Sequence, residues 1–235
     1  MRERIQKILS AHGAASRRAA ERMILEGRIT INGTVAKLGE SAEDGVDDIA
    51  IDGIPLAPTG DLIYIMLHKP RGYITTMSDT HGVKTVVELV RGINTRIYPV
   101  GRLDMDSEGL LLMTNDGLFA NAVMHPSYDK TKTYEVTVRG DILNGTKLLQ
   151  QPLVIDGHTV KAASIKIRER TANGGILEIS IKEGRNRQIR KMCGQCGLVA
   201  LTLKRISIGT LELGDLKPGQ WRHLTPEEIK SARPN

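Results

Sequence analysis

The sequence predicts an α+β protein: a small N-terminal helix-helix-hairpin module, then a larger domain built on a mixed, mainly antiparallel sheet. Three observations carry this. Two amphipathic helical segments run into the turn Asn32-Gly33, a dipeptide suited to a two-residue hairpin. A Pro/Gly connector, DGIPLAPTGD, then separates two regions and places the domains at 1–60 and 61–235. Beyond it, alternating segments follow one another with few helices between them, which is an α+β pattern.

The elements follow in order. Ile5, Ile8 and Leu9 share one helical face. Ser16 is placed to cap a second helix, whose Ala19, Ala20, Met23 and Ile24 form an apolar stripe, and Gly27 suits the residue just past its end. RITINGTVA reads as two short strands around the turn. Arg17, Arg18, Arg22 and Arg28 are left for the outer face, as a phosphate grip or as a solvated surface. After the connector, LIYIMLHKP is a near-continuous apolar run, the pattern of a strand buried on both faces. Thr85 to Val90 is read as a short helix, and Leu118 to Met124 as another stopped by Pro126. KTYEVTVRG alternates with Tyr134, Val136 and Val138 on one face. GGILEISIKEG alternates with Leu177, Ile179 and Ile181 inward, and TLKRISIGTLEL adds further strand.

Charge is clustered. The chain of 235 residues carries a formal net charge of +6 and a pI of about 9.4, which points to an anionic partner. Met1 to Lys37 holds eight Lys/Arg against three Glu, and Lys182 to Arg205 holds seven against one. Leu38 to Gly60 holds six acids and no base. Aromatics are only 3% of the chain, which argues against a sheet that stacks single-stranded bases on exposed rings. Two cysteines fit a reducing compartment. No apolar run reaches membrane-spanning length, and the charged N-terminus is not signal-like, so a cytoplasmic protein is expected.

GRLDMDSEGLLLMTNDG, residues 101–117, concentrates the chemistry. Asp104, Asp106 and Glu108 nearly fit a calcium loop, but Asn115 at its twelfth position supplies no bidentate carboxylate and Leu112 fills the ninth. Cys193-x-x-Cys196 lacks a second ligand pair for zinc, so no metal is expected. In GRNRQIRKMCGQCG, Ile189, Met192, Cys193 and Cys196 fall on one helical face, with Arg187, Arg190 and Lys191 opposite; Arg185 in the preceding KEGR extends the basic patch. The cysteines read as core packing. Arg102 and Asp104 are two apart and point the same way in an extended segment. They could hold an ionised aspartate facing a pocket, or form a structural salt bridge or turn cap.

The N-terminal segment, above all ASRRAAERMILEGRITING, resembles the S4 RNA-binding domain. That resemblance implies that the helices lie against structured RNA, with Ser16, Arg17, Arg18 and Arg22 as contact candidates. GRLDMDSEGLLLMTNDG, followed by KTYEV and GRNRQIRKMC and preceded by LHKPRGYI, resembles the RsuA-type pseudouridine synthases over nearly the whole chain. The resemblance implies that Asp104 is the essential aspartate, that Arg102 lies near the flipped nucleotide, that Tyr134 packs on the target base, and that Arg190 pairs with the catalytic carboxylate. It assigns Asp106 and Glu108 no catalytic role, leaving them as loop and capping residues. It implies isomerisation of uridine in ribosomal RNA by a monomer acting on a structured stem-loop, with no cofactor. The tail TLKRISIGTLELGDLKPGQWRHLT looks most like the family's large-subunit enzymes. Small-subunit rRNA remains the alternative substrate, and a non-catalytic S4-type RNA-binding or ribosome-assembly factor the alternative from another class.

Overall fold

The computed structural model describes residues 1–78, 82–128, 130–162 and 164–233. The chain divides into two compact units: Met1–Ile63 with Ile93–Ile97 and Asn115–Gly117, and then Tyr64–Gly92, Tyr98–Thr114 and Leu118–Asn235.

The first unit runs β1 (Arg2–Arg4), α1 (Ile5–Ala11), α2 (Arg17–Leu25), β2 (Ile29–Ile31), β3 (Thr34–Val35), β4 (Ser41–Glu43), β5 (Ile49–Ile51) and β6 (Ile54–Pro55). Ser16 caps α2, its side chain accepting from Ala19 N at 3.1 Å. Asn32 and Gly33 both take positive φ, the turn that matches the twist of β2 and β3. Ile5, Ile8, Leu9, Ala20, Ile24 and Ile29 form the centre of a small core. A helix-helix-hairpin module is therefore present as expected, with three acidic-region strands, β4, β5 and β6, added to it.

The second unit begins with β7 (Tyr64–Lys69), a short 3-10 helix (Val86–Val90), β8 (Tyr98–Val100), β9 (Glu108–Thr114), α3 (Gly117–Met124) and β10 (Lys132–Arg139). It continues through α4 (Ile142–Leu149), β11 (Leu153–Ile155), β12 (His158–Val160), β13 (Ser164–Thr171), β14 (Gly174–Ile181) and α5 (Gln188–Gln195). It closes with β15 (Val199–Ile208), β16 (Leu211–Glu212), β17 (Trp221–His223) and α6 (Pro226–Ala232). Nine strands form one mixed sheet in the order β13-β14-β10-β15-β9-β7-β17, with β16 on β15 and β8 on β9. Every pairing in it is antiparallel except β15 with β9.

That mixed pairing has a local cause. β9 meets β15 in parallel with Glu108 opposite Lys204 and Gly109 opposite Arg205. Gly109 has φ +111, and a Cβ there would collide with the backbone oxygen and nitrogen of Arg205. Only glycine permits this conformation and this approach together. Leu110 and Leu112 then pack with Met66, Phe119 and Val123. Leu111 and Met113 point to the other face and are equally buried. The sheet is covered on both sides here, which explains the unbroken apolar run.

Gly109→Ala tests this constraint. Strain plus collision should cost at least about 3 kcal/mol or prevent folding, read as a lowered urea midpoint or loss of soluble protein. A control, Gly184→Ala, meets nothing within 4 Å and should shift stability by less than about 1 kcal/mol.

Candidate active site

The loop Gly101–Ser107 joins β8 to β9 and is fixed from below by a buried lysine. Lys69, the last residue of β7, is 0% exposed. Its ammonium donates to the carbonyls of Ser107 at 2.8 Å, Asp104 at 3.0 Å and Pro70 at 3.1 Å. Burial pushes its pKa down to about 8, against the opposing pull of the Asp104, Asp106 and Glu108 charges. The loop is held from the side as well. Thr75 Oγ1 donates to Leu103 O at 2.7 Å and accepts from Leu103 N at 3.2 Å. Gly72 N donates to Met105 O at 2.8 Å, and Ser107 N to Asp104 O at 3.0 Å. Arg205, 4% exposed, donates from Nε to Leu110 O at 2.8 Å and from Nη1 to Arg102 O at 3.5 Å.

Beside the loop opens a cavity of about 740 Å³ lined by Arg102, Asp104, Tyr134, Arg185, Arg187 and Arg205 among others. Tyr134 reaches it because β10 lies next to β15, with Tyr134 opposite Arg205. Its residue is 7% exposed, so a core position and a pocket wall coincide. Lys132, Lys161 and Lys182 add further cations to the lining.

The acids of the loop have separate partners. Arg187 Nη1 lies 3.8 Å from Asp104 Oδ2 and 3.0 Å from Asp106 Oδ1. Arg190 holds the other side of Asp106, with Nη2 at 3.0 Å from its carbonyl and 3.3 Å from its carboxylate, while Nη1 donates to Ala200 O at 2.7 Å. Burial pulls the Asp106 carboxyl upward, but hydrogen bonds from Arg187 and the charges of Arg190 and Arg187 outweigh it and hold the pKa below the ordinary value. The same contacts with Asp106 raise the pKa of Arg187.

Several sequence expectations change here. Arg190 was expected to pair with Asp104; the structure gives it to Asp106, and the guanidinium at Asp104 is that of Arg187. The reason is local. Arg187 takes a left-handed backbone, φ 51, at the start of α5, and its guanidinium reaches the loop acids. Arg190, one turn on, is held by two carbonyls and has a side chain only 12% exposed, so the basic outer face expected for α5 is not uniform. Lys191 pairs with Asp156 in the β11–β12 turn and does not line the cavity. Asp106 is more than a loop cap, since it bridges two arginines. Arg185 lines the cavity but donates to Glu183 at 3.0 Å. In the first unit, Arg28 is bidentate on Asp52, at 2.6 and 2.9 Å, which raises its own pKa and lowers that of Asp52. Arg22 lies 3.8 Å from Glu26. Arg17 and Arg18 are exposed without an acidic partner among the described residues.

Lys69 and Arg205 were missed as site residues. A signal existed for both: Lys69 closes the apolar run of β7, and Arg205 is two residues from Leu203 on one strand face, where a charge has no place unless the fold supplies acceptors. Cys193 and Cys196 are buried, and burial pushes the Cys193 thiol up to about 12 and raises that of Cys196. Among the described residues no three His, Cys, Asp or Glu side chains are grouped to hold a metal ion, and no helix is long and apolar enough to cross a membrane.

A carboxylate and a ring facing one cation-rimmed cavity, in a chain that also carries a separate basic module, define a class of protein that acts on a nucleic acid. The family model described as RNA pseudouridylate synthase matches residues 63–195, and that of the S4 domain matches 3–45. The chain belongs to the RNA pseudouridylate synthase family and carries an S4 domain. It is 40% identical over 237 residues, covering 98% of this chain and 96% of the other, to the ribosomal large subunit pseudouridine synthase B of Bacillus subtilis (strain 168). It is 41% identical over 97% of its length, and 93% of the other, to an uncharacterized RNA pseudouridine synthase of Aquifex aeolicus (strain VF5). A solved pseudouridylate synthase matches with a TM-score of 0.68 and 26% identity, covering 97% of this chain and 99% of that one.

The buried lysine yields a pH test. Between about pH 8 and the ordinary lysine value of 10.5, the unfolded chain holds this proton and the folded chain has released it. Stability contributed by this group therefore rises with pH through that window. The unfolding free energy of the wild type minus that of Lys69→Met should grow in favour of the wild type from pH 7.5 to 9.5, measured by urea titration. A flat difference would contradict the assignment. At neutral pH the substitution leaves two loop carbonyls without their donor and should cost about 1–3 kcal/mol.

Proposed function

We propose that this enzyme isomerises uridine to pseudouridine in large-subunit ribosomal RNA, with Asp104 as the residue that meets the sugar. The observation that carries the reading is the position of Asp104: its carboxylate lines the cavity on a backbone held by Lys69, with Arg187 at 3.8 Å and Tyr134 on the same cavity's wall. The large-subunit assignment is supported by the similarity to synthase B of Bacillus subtilis, and by a second relative of that name from Pseudomonas aeruginosa at 35% identity.

The reaction breaks the bond between N1 and C1′ and forms one between C5 and C1′. C5 loses a proton and N1 gains one, so no electron changes hands and no cofactor is called for. The carboxylate serves as nucleophile at C1′ or as base at a sugar proton; both roles need it at the sugar and both end with it regenerated. Tyr134 packs on the detached uracil and keeps it in the cavity. Arg102, exposed at the mouth, meets the extruded nucleotide. Arg187 neutralises part of the loop's negative charge, which otherwise repels phosphate. The uridine must leave its stack to enter. Grip on the backbone comes from the cavity rim and from Ser16, Arg17, Arg18 and Arg22 of the S4 domain, on one structured stem-loop. In this reading the enzyme acts as a monomer.

Asp104→Asn should abolish pseudouridine formation in a large-subunit rRNA transcript while changing RNA affinity by less than about 3-fold, because phosphate contacts supply most of the binding. Asp106→Asn should lower the rate without abolishing it, since it loosens Arg187 and Arg190 but leaves the Asp104 carboxylate in place. Mapping modified uridines in each rRNA transcript separately checks both variants and the substrate. Modification confined to the small-subunit transcript would replace the large-subunit reading.

The S4 contribution is read from salt dependence. The double variant Arg17→Ala, Arg18→Ala should flatten the log–log plot of affinity against salt by about two units, roughly one per lost phosphate contact. An unchanged slope would make this face a solvated surface only.

A further inference from the structure

The turn that carries Asp104 displays an apolar side chain to solvent. Met105 is 51% exposed. A single exposed methionine is ordinary on a protein surface; its setting is not. Met105 and Asp106 are the two central residues of a turn closed by Ser107 N on Asp104 O at 3.0 Å. The backbone around it is pinned on three sides: by Lys69 on Asp104 O and Ser107 O, by Gly72 N on Met105 O, and by Thr75 on Leu103. Asp106 is locked to Arg187 and Arg190. The backbone of this tip and the Asp106 side chain are held by the fold, while Met105 and Arg102 stand exposed.

A stacked uridine cannot enter the cavity until it is extruded, and extrusion opens a gap in the stack that costs free energy. Nucleic-acid-binding proteins that unstack bases do so with apolar side chains inserted between them, methionine included. A thioether is unbranched and polarizable, so it adapts to an irregular gap between rings. A wedge also has to be mounted on a rigid base, or it folds away instead of inserting.

We propose that Met105 is a positioning residue: it enters the RNA stack beside the target uridine and fills the space that the extruded base leaves, while Asp104 next to it meets the sugar. This rests on Asp104 being the reacting carboxylate. The wedge does no bond chemistry, so its contribution depends on how well the target is stacked.

The test uses the uridine that the wild type modifies, placed in two synthetic RNA fragments. One keeps it in its native stacked context; the other presents it as an unpaired bulge, and both carry 2-aminopurine on its 3′ side. Met105→Ala should lose about 10- to 100-fold in kcat/KM on the stacked fragment and less than about 3-fold on the bulged one. Met105→Leu should recover most of the loss. In an Asp104→Asn background, binding of the stacked fragment should raise 2-aminopurine fluorescence, and adding Met105→Ala should remove that rise. Equal losses on the two fragments, or none on the stacked one, would overturn the wedge. Failure of the Asp104 assignment shows separately, as isomerisation by Asp104→Asn alone; the ratio between the two fragments still judges Met105 in that case.

Discussion

The grip of Lys69 on the carbonyls of Ser107 and Asp104 is the contact on which the site depends. A buried ammonium is costly unless every proton finds an acceptor. Here the three acceptors are backbone oxygens, two of them on the loop that carries the acids. Carbonyls so engaged cannot drift without stranding a charge, so the loop conformation and the burial of Lys69 stand or fall together. Arg205, on β15 at the other side of β9, is a second buried cation donating to backbone oxygens, those of Leu110 and Arg102. Two buried cations thus set the backbone from which Asp104 projects. In the role proposed for Asp104, a carboxylate held this way has little reorganisation left to undergo when a substrate arrives.

A second consequence is electrostatic. The loop and the first residue of β9 gather Asp104, Asp106 and Glu108 within five residues, a concentration of negative charge unfavourable to an anionic partner. Arg187 and Arg190 take up Asp106, and Arg187 extends toward Asp104. The acid that bridges two guanidiniums has little charge left to repel phosphate. Asp104, with one guanidinium at longer range, keeps a carboxylate oriented to the cavity. Asp106 therefore serves the site by fixing the cations, a role that its place in the loop alone does not reveal.

The S4 domain divides its cations in a comparable way. Arg28 is committed to Asp52, with Glu26 nearby, and ties the end of α2 to the turn after β5. Arg17 and Arg18, at the start of α2, have no acidic partner among the described residues. Neither is committed to an ion pair, which leaves both available for the phosphate contact proposed for them. Ser16 spends its hydroxyl oxygen on the Ala19 amide, which limits what it can offer the RNA contact proposed for it.

Local chemistry was readable from the chain itself. Asn32-Gly33, the Ser16 cap, the apolar stripe of α2 and the alternation through Tyr134 to Val138 are decided within a few residues, so periodicity and turn chemistry were enough to place them. The motif around Asp104 was legible for the same reason: its residues are contiguous. Which cation meets which acid was not. Arg187 and Asp106 are 81 positions apart, and their meeting depends on a left-handed residue at the start of α5 and on the single parallel pairing in the sheet. Lys69 finds its acceptors 35 and 38 positions away; in the sequence it is one lysine before a proline. Long-range pairing of charges is set by the register of strands, and register is a property of the packed sheet.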